Sequence, residues 1–342
     1  MPRQTKIDNS TYLIYEMDGG RPKAMADLRN TRNDFIKSKE KPYIVVCNTL
    51  EGEIHHSRPD EYIEELHSLL REYDPKKCIL VMADAYLVKN YDRWCKNHKE
   101  KKVFGHVIFY PYALLQRTIN YYNKNPIKRK HLPNKYKHFI CMNAAAKPHR
   151  FRMVEKMFSE GWDKKGYITY LNRYGENTSH MANENFQGQT LTLDFDGKQI
   201  EQNENQEIMP REYKQAVFDI VNESIISDTS LFLTEKVWKP ILYKNPFIIL
   251  GSKGTCKHLE KYWGIKLHND MINYSFDYVD YPHRFNRIVD DNLRRIMNTP
   301  IEELNEWLNL ESTQEILSYN QHKLLNMEIQ AMEYYVDKKI HG

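Results

Sequence analysis

Thr234, Glu235 and Lys236 place a hydroxyl, a carboxylate and an ammonium in a row, inside "SLFLTEKVWKPILYKNPFIILGS" over residues 230–252. Such a row suits the start of a helix. The Thr234 hydroxyl can accept a backbone N–H, and Glu235 in the first turn complements the positive end of the helix dipole. The same start can bind an anion: free amides, the dipole and Lys236 together attract a diphosphate. Glu235, a fixed acceptor beside them, can take the hydroxyls of the ribose that accompanies such a diphosphate.

These residues need a scaffold that holds them at an edge. Val237, Trp238, Ile241 and Leu242 form an apolar stripe at helical spacing, and "PFIILG" returns after Asn245 as a buried strand. The helix therefore starts at the edge of a sheet, where α/β proteins bind their ligands.

The chain has 342 residues, 41% hydrophobic and 28% charged, with a net charge of +4. That is enough apolar material for a core, and it argues against a disordered chain. The mild positive charge permits contact with phosphates or nucleic acid without requiring it. Cys47, Cys78, Cys95, Cys141 and Cys256 form no CxxC pair, and Cys47, Cys78 and Cys141 fall in apolar runs. They read as buried thiols of a reducing compartment, with a disulfide or zinc site as the minority reading. "MPRQTKIDNS" lacks the apolar core of a secretion signal, and no apolar run approaches the roughly 20 residues that span a bilayer. A cytoplasmic protein without a membrane span is the expectation.

Apolar runs alternate with helical patterns along the chain, the mark of βα units. "YIVVC" (43–47), "CILVMA" (78–83) and "VFGHVIFY" (103–110) read as strands of an N-terminal domain over residues 1–125. A basic, proline-broken linker follows over 126–137. The rhythm restarts with "HFICMN" (138–143), the helix "HRFRMVEKMFSEG" and the strand "YITYL" (167–171), and it continues through "AVFDIVNESI" and "PFIILG". This second α/β domain spans 138–280, with a hairpin insertion near 190–203 signalled by Asp196-Gly197. A helical tail covers 281–342. The fold class is α/β, with two Rossmann-like domains facing a cleft.

"NES" (222–224) followed by "FLTEKVWKPILYKNPFIILGS" resembles the signature of the α-1,3-fucosyltransferase family. The resemblance implies that Glu235 and Lys236 bind the nucleotide part of a sugar donor, with Ser224 and Thr234 beside them. The same arrangement is similar, more loosely, to the donor half of phage DNA glucosyltransferases. "FICMNAAAKPHRFRMVEKM" resembles the strand, Asn and downstream Arg that open the fucosyltransferase donor domain. By that likeness Asn143 marks the strand end, and Arg150 or Arg152 meets the donor phosphates, for which a planar guanidinium is well matched. The resemblance covers roughly residues 138–255, lacks a signal anchor, and replaces the small, Gly-containing middle of the motif with Lys239-Pro240 and Asn245. It implies a GT-B type glycosyltransferase that moves a sugar from a UDP- or GDP-linked donor to a hydroxyl.

Asp194-Phe195-Asp196 is formally a DxD manganese motif, but it runs straight into Gly197 as a hairpin turn. No metal or other cofactor is therefore expected, and Arg and Lys would carry the charge of the leaving diphosphate. The catalytic base should project from the N-terminal domain. Glu51 and Glu53 follow the strand "YIVVC" directly, and Asp84 holds the corresponding place one strand later. His55 and His56 are adjacent and point apart on most backbones, which disfavours a metal pair. The acceptor is either a hydroxymethylated base in duplex viral DNA or a glycan. The competing class is a non-enzymatic nucleic-acid-binding protein, which would use the basic linker and the chain's 24 tyrosines and place no demand on Glu235 or Arg150.

Overall fold

The computed structural model describes residues 12–16, 21–37, 42–48, 61–124, 135–145, 147–173 and 211–342. The chain is a mixed α/β protein whose described strands form two separate four-stranded parallel sheets. It divides into two units. The first holds residues 1–116, 229–233 and 328–342, and the second holds 117–228 and 234–327.

In the first unit the strands lie in chain order: β1 (Tyr12–Glu16), β2 (Tyr43–Asn48), β3 (Cys78–Met82) and β4 (His106–Phe109). Helices α1 (Arg21–Lys37), α2 (Glu61–Leu70) and α3 (Leu87–His98) connect them, as parallel pairing requires. Alternate side chains of one strand serve two cores. Ile44 and Val46 pack with Leu28, Ile63, Leu66, Tyr91 and Trp94, whereas Val45 and Cys47 pack with Ile14, Val81 and Val336. Burial on both faces is why β2 and β3 read as unbroken apolar runs.

The second unit begins within α4 (Ala113–Lys124) and is built on β5 (Lys137–Ala145), β6 (Gly166–Arg173), β7 (Ala216–Asn222) and β8 (Phe247–Leu250). The spatial order is β6-β5-β7-β8. The chain leaves β5 through α5 (Pro148–Ser159) toward one edge, and leaves β7 through α6 (Glu235–Leu242) toward the other. The direction of winding thus reverses between β5 and β7. Connecting segments diverge there, at the carboxyl ends of the two strands, which is the general ligand position of open α/β sheets.

After β8 come α7 (Thr255–Lys261), α8 (His283–Arg287), a π-helical turn (Ile288–Leu293), α9 (Arg294–Asn298), α10 (Ile301–Asn309) and α11 (Glu311–Leu325). Ile288, Leu293, Ile296, Leu304 and Trp307 pack with Phe218, Ile220 and Ile248 of the sheet. The helical tail is not one piece: α12 (Met332–His341) belongs to the first unit, where Val336 joins the core and the Tyr12 hydroxyl donates to Asp337 Oδ1 at 2.8 Å. The hairpin expected near 190–203 and most of the 126–137 linker lie outside the described residues. No helix among the described residues is long and apolar enough to cross a membrane. All five cysteines are buried free thiols, so the disulfide alternative does not hold.

Candidate functional site

At the switch point, the carboxyl end of β7 supplies Asn222, Glu223 and Ser224, and three cationic side chains meet this short segment. Lys147, just before α5, donates from Nζ to the Ser224 carbonyl at 2.8 Å. Arg150, the third residue of α5, donates from Nη2 to the Glu223 carbonyl at 3.2 Å and to Ser224 Oγ at 3.4 Å. Lys236, in the first turn of α6, donates from Nζ to Ser224 Oγ at 3.2 Å, Thr234 Oγ1 at 3.3 Å and Glu235 Oε1 at 2.6 Å.

Glu223 is the buried centre of the cluster. Its side chain is fully shielded, and its carboxylate accepts from Thr234 N at 2.9 Å, Thr234 Oγ1 at 2.7 Å and Ser224 N at 2.9 Å. Burial pushes its pKa up, while Lys236 and the Thr234 donors pull it down without cancelling the shift. Gly251 packs beside it: a Cβ there would crowd Thr255 Oγ1 at 3.1 Å and Ile249 Cγ2 at 3.2 Å, and would meet Glu223 Cγ at an ordinary 3.5 Å. Glu235 is held the other way. Burial raises its pKa, but Lys236 and Lys239 outweigh that and bring it down to about 2, so it is a carboxylate at neutral pH.

Thr234 behaves as its type requires. Its backbone is extended, its hydroxyl accepts from Lys236 N at 3.3 Å, and the same hydroxyl donates to Glu223. It caps the helix and locks α6 onto the end of β7, and so positions the site. Asn143, 1% exposed at the end of β5, lies beneath the cluster: its Oδ1 accepts from Asn222 Nδ2 at 2.9 Å and its own Nδ2 donates to the Thr169 carbonyl. These two amides tie β5 to β7 across the switch point. His149 donates from Nε2 to the Glu223 carbonyl at 2.9 Å, and burial, with Arg150 next, lowers its pKa to about 3. It is neutral near pH 7, so its single ring proton sits on Nε2, where the Glu223 carbonyl needs a donor.

Of the expected residues, the structure brings together Asn143, Arg150, Ser224, Thr234, Glu235 and Lys236. Arg152 goes elsewhere. Its guanidinium lies 4.3 Å from the Phe285 ring centroid and donates to Asn286 Oδ1 at 3.3 Å. Asp84 also needs a different reading. It sits just past β3, but it is fully buried and accepts from Tyr86 N, Leu231 N, Asn90 Nδ2 and Ser230 Oγ at 2.7–2.9 Å. These bonds occupy both oxygens, so Asp84 anchors the segment Thr229–Leu233 within the first unit and is not an accessible base. Glu51, Glu53 and the Asp194–Asp196 triplet lie outside the described residues.

Lys147, His149, Asn222 and Glu223 complete the cluster and were not singled out in the sequence. Lys147 and His149 flank Arg150, and Glu223 is the middle of the "NES" triplet, so the signal was adjacency to residues already chosen. Among the described residues no group of three or more His, Cys, Asp or Glu side chains could hold a metal ion. The cluster's chemistry is that of an anion site with two carboxylates: three cations meet the carboxyl ends of the central strands, where Glu223 is buried among its donors and Glu235 is held by Lys236. No family model, no curated protein and no solved structure matches this chain.

Proposed function

We propose that the chain is a glycosyltransferase of GT-B type that transfers a sugar from a nucleotide-sugar donor, UDP- or GDP-linked, to a hydroxyl acceptor. The observation that carries this reading is the convergence of Arg150 and Lys236, from two different helices, on Ser224 Oγ at the β5/β7 switch point. In this reading a diphosphate replaces the serine hydroxyl as the shared partner of both cations. Arg150 supplies a planar fork, and Lys236 a mobile point charge whose ammonium follows the oxygen on which charge develops as the glycosidic bond breaks. Lys147 adds a third positive charge at the same edge. Glu235, ionised and held by Lys236, accepts from the ribose hydroxyls.

In such an enzyme the cations carry the leaving-group charge without a divalent metal. Glu51 or Glu53 is the proposed base that takes the proton of the attacking hydroxyl. That hydroxyl belongs to a hydroxymethylated base in duplex DNA or to a glycan. The test is release of the nucleotide leaving group, UDP, GDP or CMP, from a panel of UDP-, GDP- and CMP-sugars, with hydroxymethylated DNA or oligosaccharides as acceptors, in the presence of EDTA. Acceptor-dependent release from one donor, lost in Lys236→Ala, supports the reading. Absence of release from every donor, together with tight and salt-sensitive DNA binding, replaces it with a nucleic-acid-binding protein.

A further inference from the structure

A second concave site lies in the second unit, past the carboxyl end of β8. It is a cleft of about 440 Å³ whose lining includes Lys253, Tyr278, Asp280, Arg287, Asp290 and Asp291. That volume is within the range of small-molecule sites.

The walls of the cleft are built, not incidental. Arg284, 1% exposed, lies behind them and staples three segments: its Nη1 donates to the Gly251 carbonyl at 2.7 Å, its Nε donates to the Val279 carbonyl at 3.2 Å, and its Nη2 pairs with Asp228. Asp277, also buried, accepts from Cys256 N and Lys257 N at 3.0 and 2.9 Å. Asn292 clamps the backbone of Asn273 with both ends of its amide, at 2.7 and 3.0 Å. Buried side chains thus tie the segments that carry the lining to their neighbours in the fold. Asp290 and Asp291 project from a π-helical turn, Ile288–Leu293, and such turns are rare and recur at functional sites.

The lining chemistry selects the ligand. Tyr278 is 62% exposed, an aromatic face left in water beside polar groups. Donors and acceptors are interleaved: Lys253 and Arg287 donate, while Asp280, Asp290 and Asp291 accept, and Lys253 Nζ already pairs with Asp280 Oδ1 at 2.5 Å. Lys253 pairs with Asp280 and Arg294 with Asp290, and Arg287 and Asp291 are of opposite sign, so the lining has no strong excess of either charge to select a phosphate or a polyamine. Hydroxyl groups, each a donor and an acceptor, suit a mixed lining, and the C–H face of a sugar ring suits an exposed tyrosine.

We propose that this cleft binds a neutral saccharide, with Tyr278 as the stacking platform and Asp290 and Arg287 as hydroxyl partners. The site differs from the Arg150–Lys236 cluster in charge and in ligand, and it stands whether or not the chain transfers sugars.

The experiment is a titration of the full chain with maltotetraose, cellotetraose, chitotetraose and lactose, read by calorimetry and by saturation-transfer NMR. Binding of at least one of them is expected, unchanged between low and high salt. Tyr278→Ala should weaken it about tenfold or more, Tyr278→Phe should retain it, and Asp290→Asn should weaken it. Lys236→Ala should bind as the wild type does, which separates this site from the diphosphate cluster. No binding of any of the four, or binding indifferent to both Tyr278→Ala and Asp290→Asn, overturns the proposal. Because Tyr278 and Asp290 are exposed, these variants keep the fold, and the thermal unfolding of each checks that.

Discussion

Arg150 and Lys236 reach one oxygen, Ser224 Oγ, from the first turns of two helices that leave neighbouring strands in opposite directions, at 3.4 and 3.2 Å. Glu235 satisfies Lys236 at 2.6 Å, and Arg150, 2% exposed, is offset at longer range by Glu223 and Glu235.

The two cations should therefore be coupled in ligand binding. Arg150→Lys keeps a positive charge but loses the fork, and should weaken nucleotide-sugar binding by about 1.5–3 kcal/mol, the worth of a charge-assisted hydrogen bond. In a double-mutant cycle with Lys236→Ala, the losses should be non-additive, since both act on the same phosphates. Calorimetric titration of the four proteins checks this.

Glu223 should matter to folding more than to chemistry. Glu223→Gln presents an amide NH2 to a site with three donors and should destabilise the chain by about 1–3 kcal/mol. Urea unfolding reads this directly, and Thr234→Ala, which removes the cap and one of the donors, should cost about 1 kcal/mol.

Asp84 separates an anchoring role from a catalytic one. Asp84→Ala strands the donors of Tyr86, Asn90, Ser230 and Leu231 and should cost at least about 2 kcal/mol. Ser230→Ala removes one of those donors and should cost less. If Asp84→Asn instead abolished turnover with no loss of stability, Asp84 would be the base and the anchoring role would be wrong.

His67 provides a pH test confined to one residue. It is 2% exposed, its Nε2 lies 3.0 Å from the Tyr91 hydroxyl, and Glu100 and Arg71 are the charged groups near it. Burial lowers its pKa to about 4, with Glu100 opposing. The unfolded chain therefore takes up a proton below about pH 6.5 that the folded chain refuses until about pH 4. Its contribution to stability is complete above pH 6.5 and is lost as the pH falls through that window. Relative to His67→Gln, the wild type should lose stability on the order of 3 kcal/mol between pH 7 and pH 4. Parallel urea titrations of the two proteins measure the difference, and a pH-independent difference would contradict it.

The sheets were legible in the sequence because of where they are buried. β2, β3, β5, β7 and β8 are covered on both faces and read as apolar runs, whereas β1 and α1 were not read at all. "YLIYE" is short, and α1 offers mainly Met25 and Leu28 to the core amid charged neighbours. Lys236 could be chosen by type and by its place at a helix start, while Arg150 and Ser224 came only with the likeness to the fucosyltransferase signature. The choice between Arg150 and Arg152 could not be made in either way, because two helix positions differ by roughly 200° in direction; only the fold shows that Arg152 turns to Phe285. Glu223 was hidden for a related reason. A buried carboxylate looks like a surface one until its donors, Thr234 and Ser224, are placed around it. The tail gave its helices away by periodicity, but not the transfer of α12 to the first unit, which depends on contacts more than 300 positions apart in sequence, as between Tyr12 and Asp337.

The most direct measurement is thermal unfolding of the wild type and of Lys236→Ala with UDP-, GDP- and CMP-sugars. A ligand that binds only the folded state must raise the melting temperature. The account predicts a rise with sugars of one nucleotide base, abolished in Lys236→Ala while the unliganded melting temperature stays close to that of the wild type. A wild type that none of these donors stabilises, or a rise that persists undiminished in Lys236→Ala, would contradict it.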